Sequence, residues 1–191
     1  MSQAYSDKIY VTEAQFDALV GLELGLEYID GRLVQVAATF AEHGAMMTRL
    51  ARIIGNYLDE NNLGSDSNLM LDTLHRIPSG RRRAPDVAYH GEIRESLKKV
   101  QTYAPDLAIE IRSDSEMDDE IEDKLNDLFS LRTPVIWVIS LKDRNVKVYK
   151  SWIPDASLVE QECQAYVLGD ILDASPIIPG LSISISELFD F

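Results

Sequence analysis

At 191 residues, 46% apolar and 26% charged, the chain suits one globular domain over 1–191 with a full core and is short for two. No apolar run approaches the ~20 residues of a bilayer crossing and no signal-peptide pattern opens the chain, so no membrane is expected, and the single Cys163 fits a reducing, cytoplasmic setting. A net charge of −14 weighs against a broadly basic nucleic-acid-binding surface, leaving a local positive patch or bound divalent ions to receive a phosphate backbone.

Residues 1–11 read as a loosely held, flexible arm. Thr12 with Gln15 three positions on forms a capping box, and Phe16, Leu19 and Val20 supply one apolar face, so a short helix is expected over 12–20. L-E-Y-I-D-G-R-L-V-Q-V follows, with Asp30-Gly31 as a hairpin turn between alternating strands. Glu27 lies in that hairpin, read first as a solvated acid and second as a site residue. From 41 to 61, Met46, Met47, Leu50, Ile53, Ile54, Tyr57 and Leu58 recur at helical spacing, which marks core rather than a cofactor box. His43 opens this helix and is a candidate to assist a metal or a phosphate.

Residues 67–77 alternate as one strand. Pro78-Ser79-Gly80 then turns into Arg81-Arg82-Arg83, the best local candidate for phosphate contact and equally a solvated turn paired with acids. Residues 85–90 are a strand, and 91–104 a polar connection with a short helix around Glu95 to Val100.

The centre of the chain is Pro105 to Ile139. Leu107, Ala108, Ile109 and Ile111 make a buried strand with Glu110 inside it, and an ionised carboxylate there needs a partner or a metal. Pro85-Asp86 opens a second apolar run. Two acid-bearing strands and a nearby lysine form a constellation suited to metal-dependent phosphodiester chemistry. Ser113 to Ser115 cap a helix with apolar positions Met117, Ile121, Leu125, Leu128 and Phe129. The acids of its first turns, Asp118 to Asp123, need only the macrodipole to explain them. Lys124 is the one cation there, with pairing to Glu120 as its plain surface reading. Pro134 to Ser140 and Val146 to Tyr149 are strands joined by a tight turn. Residues 157–168 read as a further strand pair or an extension of the sheet, and Pro176, Pro179 and Gly180 precede a final short helix near Leu188-Phe189.

Taken in order, L-E-Y-I-D-G-R-L-V, His43, A-P-D-V-A-Y, P-D-L-A-I-E-I-R-S, Lys124, T-P-V-I-W-V-I-S, V-K-V-Y and I-I-P-G-L-S-I-S-I-S-E-L-F resemble the Uma-type restriction-endonuclease family of the PD-(D/E)xK nuclease superfamily. The resemblance covers most of the chain. It implies an α/β, restriction-endonuclease-like fold: a central mixed β-sheet flanked by helices, with an N-terminal helix and β-hairpin. It implies a Mg²⁺ (or Mn²⁺) site built from Asp86 and Glu110. The superfamily's lysine stands two residues after the second acid, where this chain has Arg112. Relatives place a lysine on the following helix, here Lys124. The glycine common before T-P-V-I-W is replaced by Arg132.

On that reading Asp86, Glu110 and the Ile111 carbonyl hold the metal, Lys124 orients water or stabilises developing charge, and Glu27 completes the shell. Arg112, Arg83 and His43 are the phosphate-binding candidates, and DNA is the expected substrate of a homodimer. The alternatives are a nuclease-fold module that binds DNA or protein without cleaving, an enzyme of another class using paired carboxylates, such as a glycoside hydrolase, for which the chain is small, and acids satisfied structurally by Arg112 and Arg83.

Overall fold

The structure, a computed structural model, describes residues 9–20, 25–35, 41–93, 99–112, 116–150 and 162–190. Its first helix, α1 (Glu13–Leu19), starts at the expected capping box: Thr12 N donates to Gln15 Oε1 at 2.8 Å, and Gln15 N to Thr12 Oγ1 at 3.2 Å. Phe16 is its buried residue and packs on Tyr28, with ring centroids 5.3 Å apart. Tyr28 belongs to β2 (Leu26–Ile29), which turns into β3 (Arg32–Gln35) through Asp30 and Gly31 at φ 52° and 82°. Both positive angles are what a two-residue hairpin of this twist requires. Ile9 and Tyr10, expected in a loose arm, form β1 (Ile9–Tyr10) against β3. With β5 (Leu74–Arg76), β6 (Arg82–Arg83) and β8 (Val100–Gln101) they build a first sheet in the order β1-β3-β2-β6-β5-β8. The helix expected from Glu95 lies largely outside the described residues, and its last position, Val100, is in β8.

The second sheet is the mixed one. It runs β12-β11-β10-β9-β7-β4, from β4 (Leu69–Leu71) and β7 (Val87–Tyr89) through β9 (Leu107–Arg112), β10 (Val135–Ser140) and β11 (Asn145–Lys150) to β12 (Glu162–Tyr166). Only its β9–β10 pairing is parallel, and the crossover this demands is α3 (Asp118–Ser130). Period-two alternation sorts β9 between two cores. Leu107, Ile109 and Ile111 face α2 (Ala41–Asn61), while Ala108 joins Ile136 and Val138 against Ile121, Leu125, Leu128 and Phe129 of α3. Each fully buried Leu or Ile here contributes about 1.5–3 kcal/mol. The α2 side is closed by β13 (Ile171–Asp173), β14 (Ser182–Ser184) and α4 (Ile185–Leu188), whose Leu172, Ile183 and Leu188 complete that core. Met117, read as part of the α3 apolar face, instead precedes the helix and is exposed, its backbone N donating to Glu120 Oε2.

One expectation fails at a place that matters. Residues 67–77 are not one strand: a 3₁₀ turn (Asp66–Asn68) leads into β4, and the chain then bends at Asp72, φ 47°, before β5. The two halves join different sheets, so Asp72 is one of the points at which the chain crosses from one sheet to the other. A left-handed residue ends the alternation, and aspartate tolerates that conformation better than most.

Candidate active site

Asp86 and Glu110 come together through strand register. β7 and β9 are antiparallel with Val87 opposite Ile109, so one step further Asp86 stands opposite Glu110. Both are buried, at 8% and 4% exposure. Asp86 is tightly held: its Oδ2 accepts from Ile111 N at 2.6 Å, and its Oδ1 lies 3.3 Å from Nε2 of His43 in the first turn of α2. That contact raises the His43 pKa above the ordinary imidazole value against the opposing effect of burial, with the charges of Asp86, Asp72 and Glu110 adding to it.

Glu110 shares the α3 face of β9 with Ala108 and Arg112, so its carboxylate points where an apolar residue would pack. Burial pushes its pKa up to about 8. Lys124 opposes this, while the charges of Asp86 and Glu27 reinforce it. Lys124, on α3, donates to Glu110 Oε2 at 3.2 Å and lies 2.7 Å from Glu116 Oε1. Burial lowers its pKa, but the two carboxylates outweigh burial and hold the ammonium charged. Its partners are therefore Glu110 and Glu116, and the Glu120 pairing of a surface lysine is not formed.

Glu27 reaches the same region from the first sheet. Far from solvated, it is 6% exposed, with Oε1 accepting from Ala84 N at 2.9 Å and Oε2 from Arg83 at 3.1 Å. Arg83 is likewise buried. Its guanidinium lies on three carboxylates, Glu27, Asp127 and Asp123, with Nε 2.6 Å from Asp127 Oδ2. Its donors face protein acids and not an open phosphate site. Arg81, two residues back and on the same side of the strand, binds Asp30, Asp123 and Asp127. Arg82 points the other way, fully buried against Tyr28 and paired with Glu13 and Asp17 of α1. The three arginines thus pair with acids, as the second reading of this run expects, but as embedded clamps rather than in a solvated turn. Arg112 donates to the Glu116 carbonyl at 2.9 Å, pairs with Asp118 at 2.7 Å, and lines a cavity of about 380 Å³ with Ser140, Asn145 and Lys147. Neither Arg112 nor Arg83 pairs with Asp86 or Glu110, so the structural reading of those acids loses its expected partners.

Three features were missed in the sequence. Asp123 reads as an ordinary first-turn acid and Asp127 enters no sequence motif; their signal is like charge at i,i+4 on α3, unfavourable unless cations meet it. Asp72 was counted within a strand, yet its carboxyl is raised by burial and by the charge of Asp86, and its backbone N lies 3.4 Å from the Asp86 carbonyl. His75 and His90 form a buried pair, Nε2 to Nε2 at 3.3 Å, which no motif announced.

Among the described residues no three His, Cys, Asp or Glu side chains form a ready-made metal cage. What the site offers an ion is two opposed buried carboxylates and the main chain around Ile111.

Comparison with known proteins bears on this geometry. No curated protein matches the sequence. A crystal structure from Anabaena variabilis ATCC 29413, described as "a putative nuclease belonging to DUF820", superposes with a TM-score of 0.74 at 20% identity, covering 94% of this chain and 97% of that one. The fold is therefore that of the restriction-endonuclease-like proteins, as expected. The family described as "Uma2: Putative restriction endonuclease" matches residues 14–186, so β2, Asp86, β9, Lys124 and the closing strands all fall inside the match. The chain belongs to the Uma2 family.

Proposed function

We propose that the protein is a divalent-metal-dependent endonuclease that hydrolyses DNA phosphodiesters at Asp86 and Glu110. The observation that carries this is the pair of opposed, buried carboxylates with a charged lysine on Glu110. Burial raises the pKa of Glu110, and the charges of Asp86 and Glu27 beside it add to that cost. A divalent cation relieves that cost directly. The donor set also fits the ion. Mg²⁺ is commonly held by one or two carboxylates and fills its remaining positions with water and substrate phosphate. Asp86 and Glu110, with the Ile111 carbonyl, would hold it; Mn²⁺ suits the same oxygen ligands.

Such an ion supplies Lewis acidity at a phosphoryl oxygen and a lowered pKa for bound water. The rest falls to the chain. Lys124 sits on Glu110 where its ammonium can orient the attacking water and stabilise charge developing on the phosphate. His43, donating to Asp86, fixes the orientation of that ligand in the way outer partners of metal ligands do. Glu27 adds negative charge close to Glu110 while remaining anchored by Arg83. Arg112, less buried, is the remaining candidate for a phosphate oxygen, although Asp118 and the Glu116 carbonyl compete for it.

The test is a calorimetric Mg²⁺ and Mn²⁺ titration of the wild type and Glu110→Ala, followed by cleavage of supercoiled plasmid. Saturable binding that vanishes in the variant, with cleavage falling about a hundredfold or more, is expected. Metal affinity retained by Glu110→Ala refutes the site. A second reading, a nuclease-fold module that binds without cutting, is favoured by the charge of −14. Metal binding with no cleavage of duplex, single-stranded or structured DNA selects it.

A further inference from the structure

The site draws its residues from three separate bodies. Glu27 comes from the first sheet, Asp86 and Glu110 from the second, and Lys124 from a helix that follows β9. Nothing in strand pairing sets the position of α3 relative to the first sheet. The arginine cluster does. Arg81, just before β6, and Arg83 within it lie on one side, and α3 answers with Asp123 and Asp127 one turn apart. Asp127 Oδ2 receives Arg83 Nε at 2.6 Å and Arg81 Nη1 at 3.1 Å, and Asp123 Oδ1 receives Arg81 Nη1 at 2.8 Å. Arg83 spends its remaining donors on Asp123 and on Glu27. Lys124 lies between the two aspartates in sequence and reaches Glu110 of the second sheet.

Most of this cluster is out of water: Arg83, Glu27 and Asp127 are each below 7% exposure. Charges desolvated to this degree gain little net stability from pairing, since their attraction is largely spent on lost hydration. A pair of apolar residues would dock α3 equally well. What the guanidinium adds is a fixed fork with defined directions. Its geometry sets the rotation and register of α3, and hence where the Lys124 ammonium stands.

We propose that Asp127 is a positioning residue: through Arg83 it ties Glu27 to α3 and holds Lys124 in register over Glu110. Its catalytic consequence rests on the nuclease reading above, but its geometric one does not.

The experiment uses the full chain and three variants, Asp127→Asn, Asp127→Glu and Asp123→Asn. The first readout is independent of cleavage: acetic anhydride labelling of Lys124, by peptide mass spectrometry, against the exposed Lys147. Release of α3 exposes the Lys124 amine, so its labelling relative to Lys147 rises several-fold in Asp127→Asn well below the melting temperature. Asp127→Glu, which restores the charge, returns it toward wild type. The second readout is plasmid cleavage with Mg²⁺, where Asp127→Asn lowers kcat about tenfold and leaves KM unchanged, as loss of an orienting partner does. Asp123 is half exposed, so Asp123→Asn spares the fold and gives the same labelling change if Asp127→Asn does not fold. Unchanged Lys124 labelling in folded variants overturns the proposal, as does a lower melting temperature with kcat and labelling unmoved. A wild type that binds no metal and cuts no DNA defeats the nuclease reading alone, and labelling then still decides the positioning role.

Discussion

Individual side chains carry charge states that their neighbours dictate, and His75 shows this most simply. Its Nδ1 lies 2.8 Å from the Thr73 carbonyl, an acceptor only, so that nitrogen holds the proton. Its Nε2 therefore accepts, and His90 Nε2, 3.3 Å away, donates. Protonating His75 would bring two N–H groups face to face inside the protein. Burial, with the His90 charge adding to it, lowers its pKa from 6.5 to about 4. Because the folded value is depressed, the unfolded chain takes up a proton that the folded chain refuses as pH falls from about 6.5 to 4. Stability is lost over that window, by about 3 kcal/mol at its lower end. Urea unfolding across pH reads this, and His75→Asn, which keeps the Thr73 contact without titrating there, flattens the slope. An equally steep slope in the variant would assign the effect elsewhere. Glu110 was legible for the same reason at sequence level: a carboxylate within L-A-I-E-I can survive only with a partner. The partner itself was visible only as one cation in an acidic stretch.

Among the elements, α3 owes its end to a residue in the left-handed conformation, Arg132. Thr133 N donates to the Leu128 carbonyl and Arg132 N to the Phe129 carbonyl, a Schellman closure with Arg132 at φ 74°. Glycine adopts this conformation freely, whereas arginine is strained in it. Arg132→Gly is expected to stabilise the protein by about 1 kcal/mol, raising Tm by about 2–4 °C in calorimetry. A lowered Tm would show that the arginine side chain contributes more than its backbone costs. The elements themselves were largely readable, since α1, the Asp30-Gly31 hairpin, α2, β10 and β11 each follow from local periodicity and turn chemistry. The strand expected over 67–77 was not. Its alternation is nearly continuous, and only the conformation of Asp72 divides it between two sheets.

At the scale of the molecule, electrostatics oppose the proposed substrate. A chain of charge −14 whose arginines at 81–83 are occupied by carboxylates has little to offer a phosphate backbone at ~0.15 M salt, where screening reaches about 8 Å. Binding of duplex DNA should therefore depend on the ion. Fluorescence anisotropy in EDTA is expected to show no saturable binding up to micromolar protein, and millimolar Ca²⁺ or Mg²⁺ to restore it. Metal-independent binding of equal strength would place the DNA on another surface. Among the described residues no helix is long and apolar enough to cross a membrane, in keeping with the composition.

The sequence by itself determined the element types, the mixed sheet through its family pattern, and Asp86 and Glu110 as the acids to watch. These follow from short-range rules: period two or three-and-a-half, turn residues, and the cost of charge in an apolar run. Only the tertiary structure decided the partners. It put Lys124 on Glu110, buried Glu27 beneath Arg83, and made a basic run that reads equally as a phosphate grip or an acid-paired turn into three clamps between α1, α3 and the first sheet. Ion pairs form between residues tens of positions apart, and their choice depends on which face of which element comes within about 3 Å, a property of packing that no local pattern encodes.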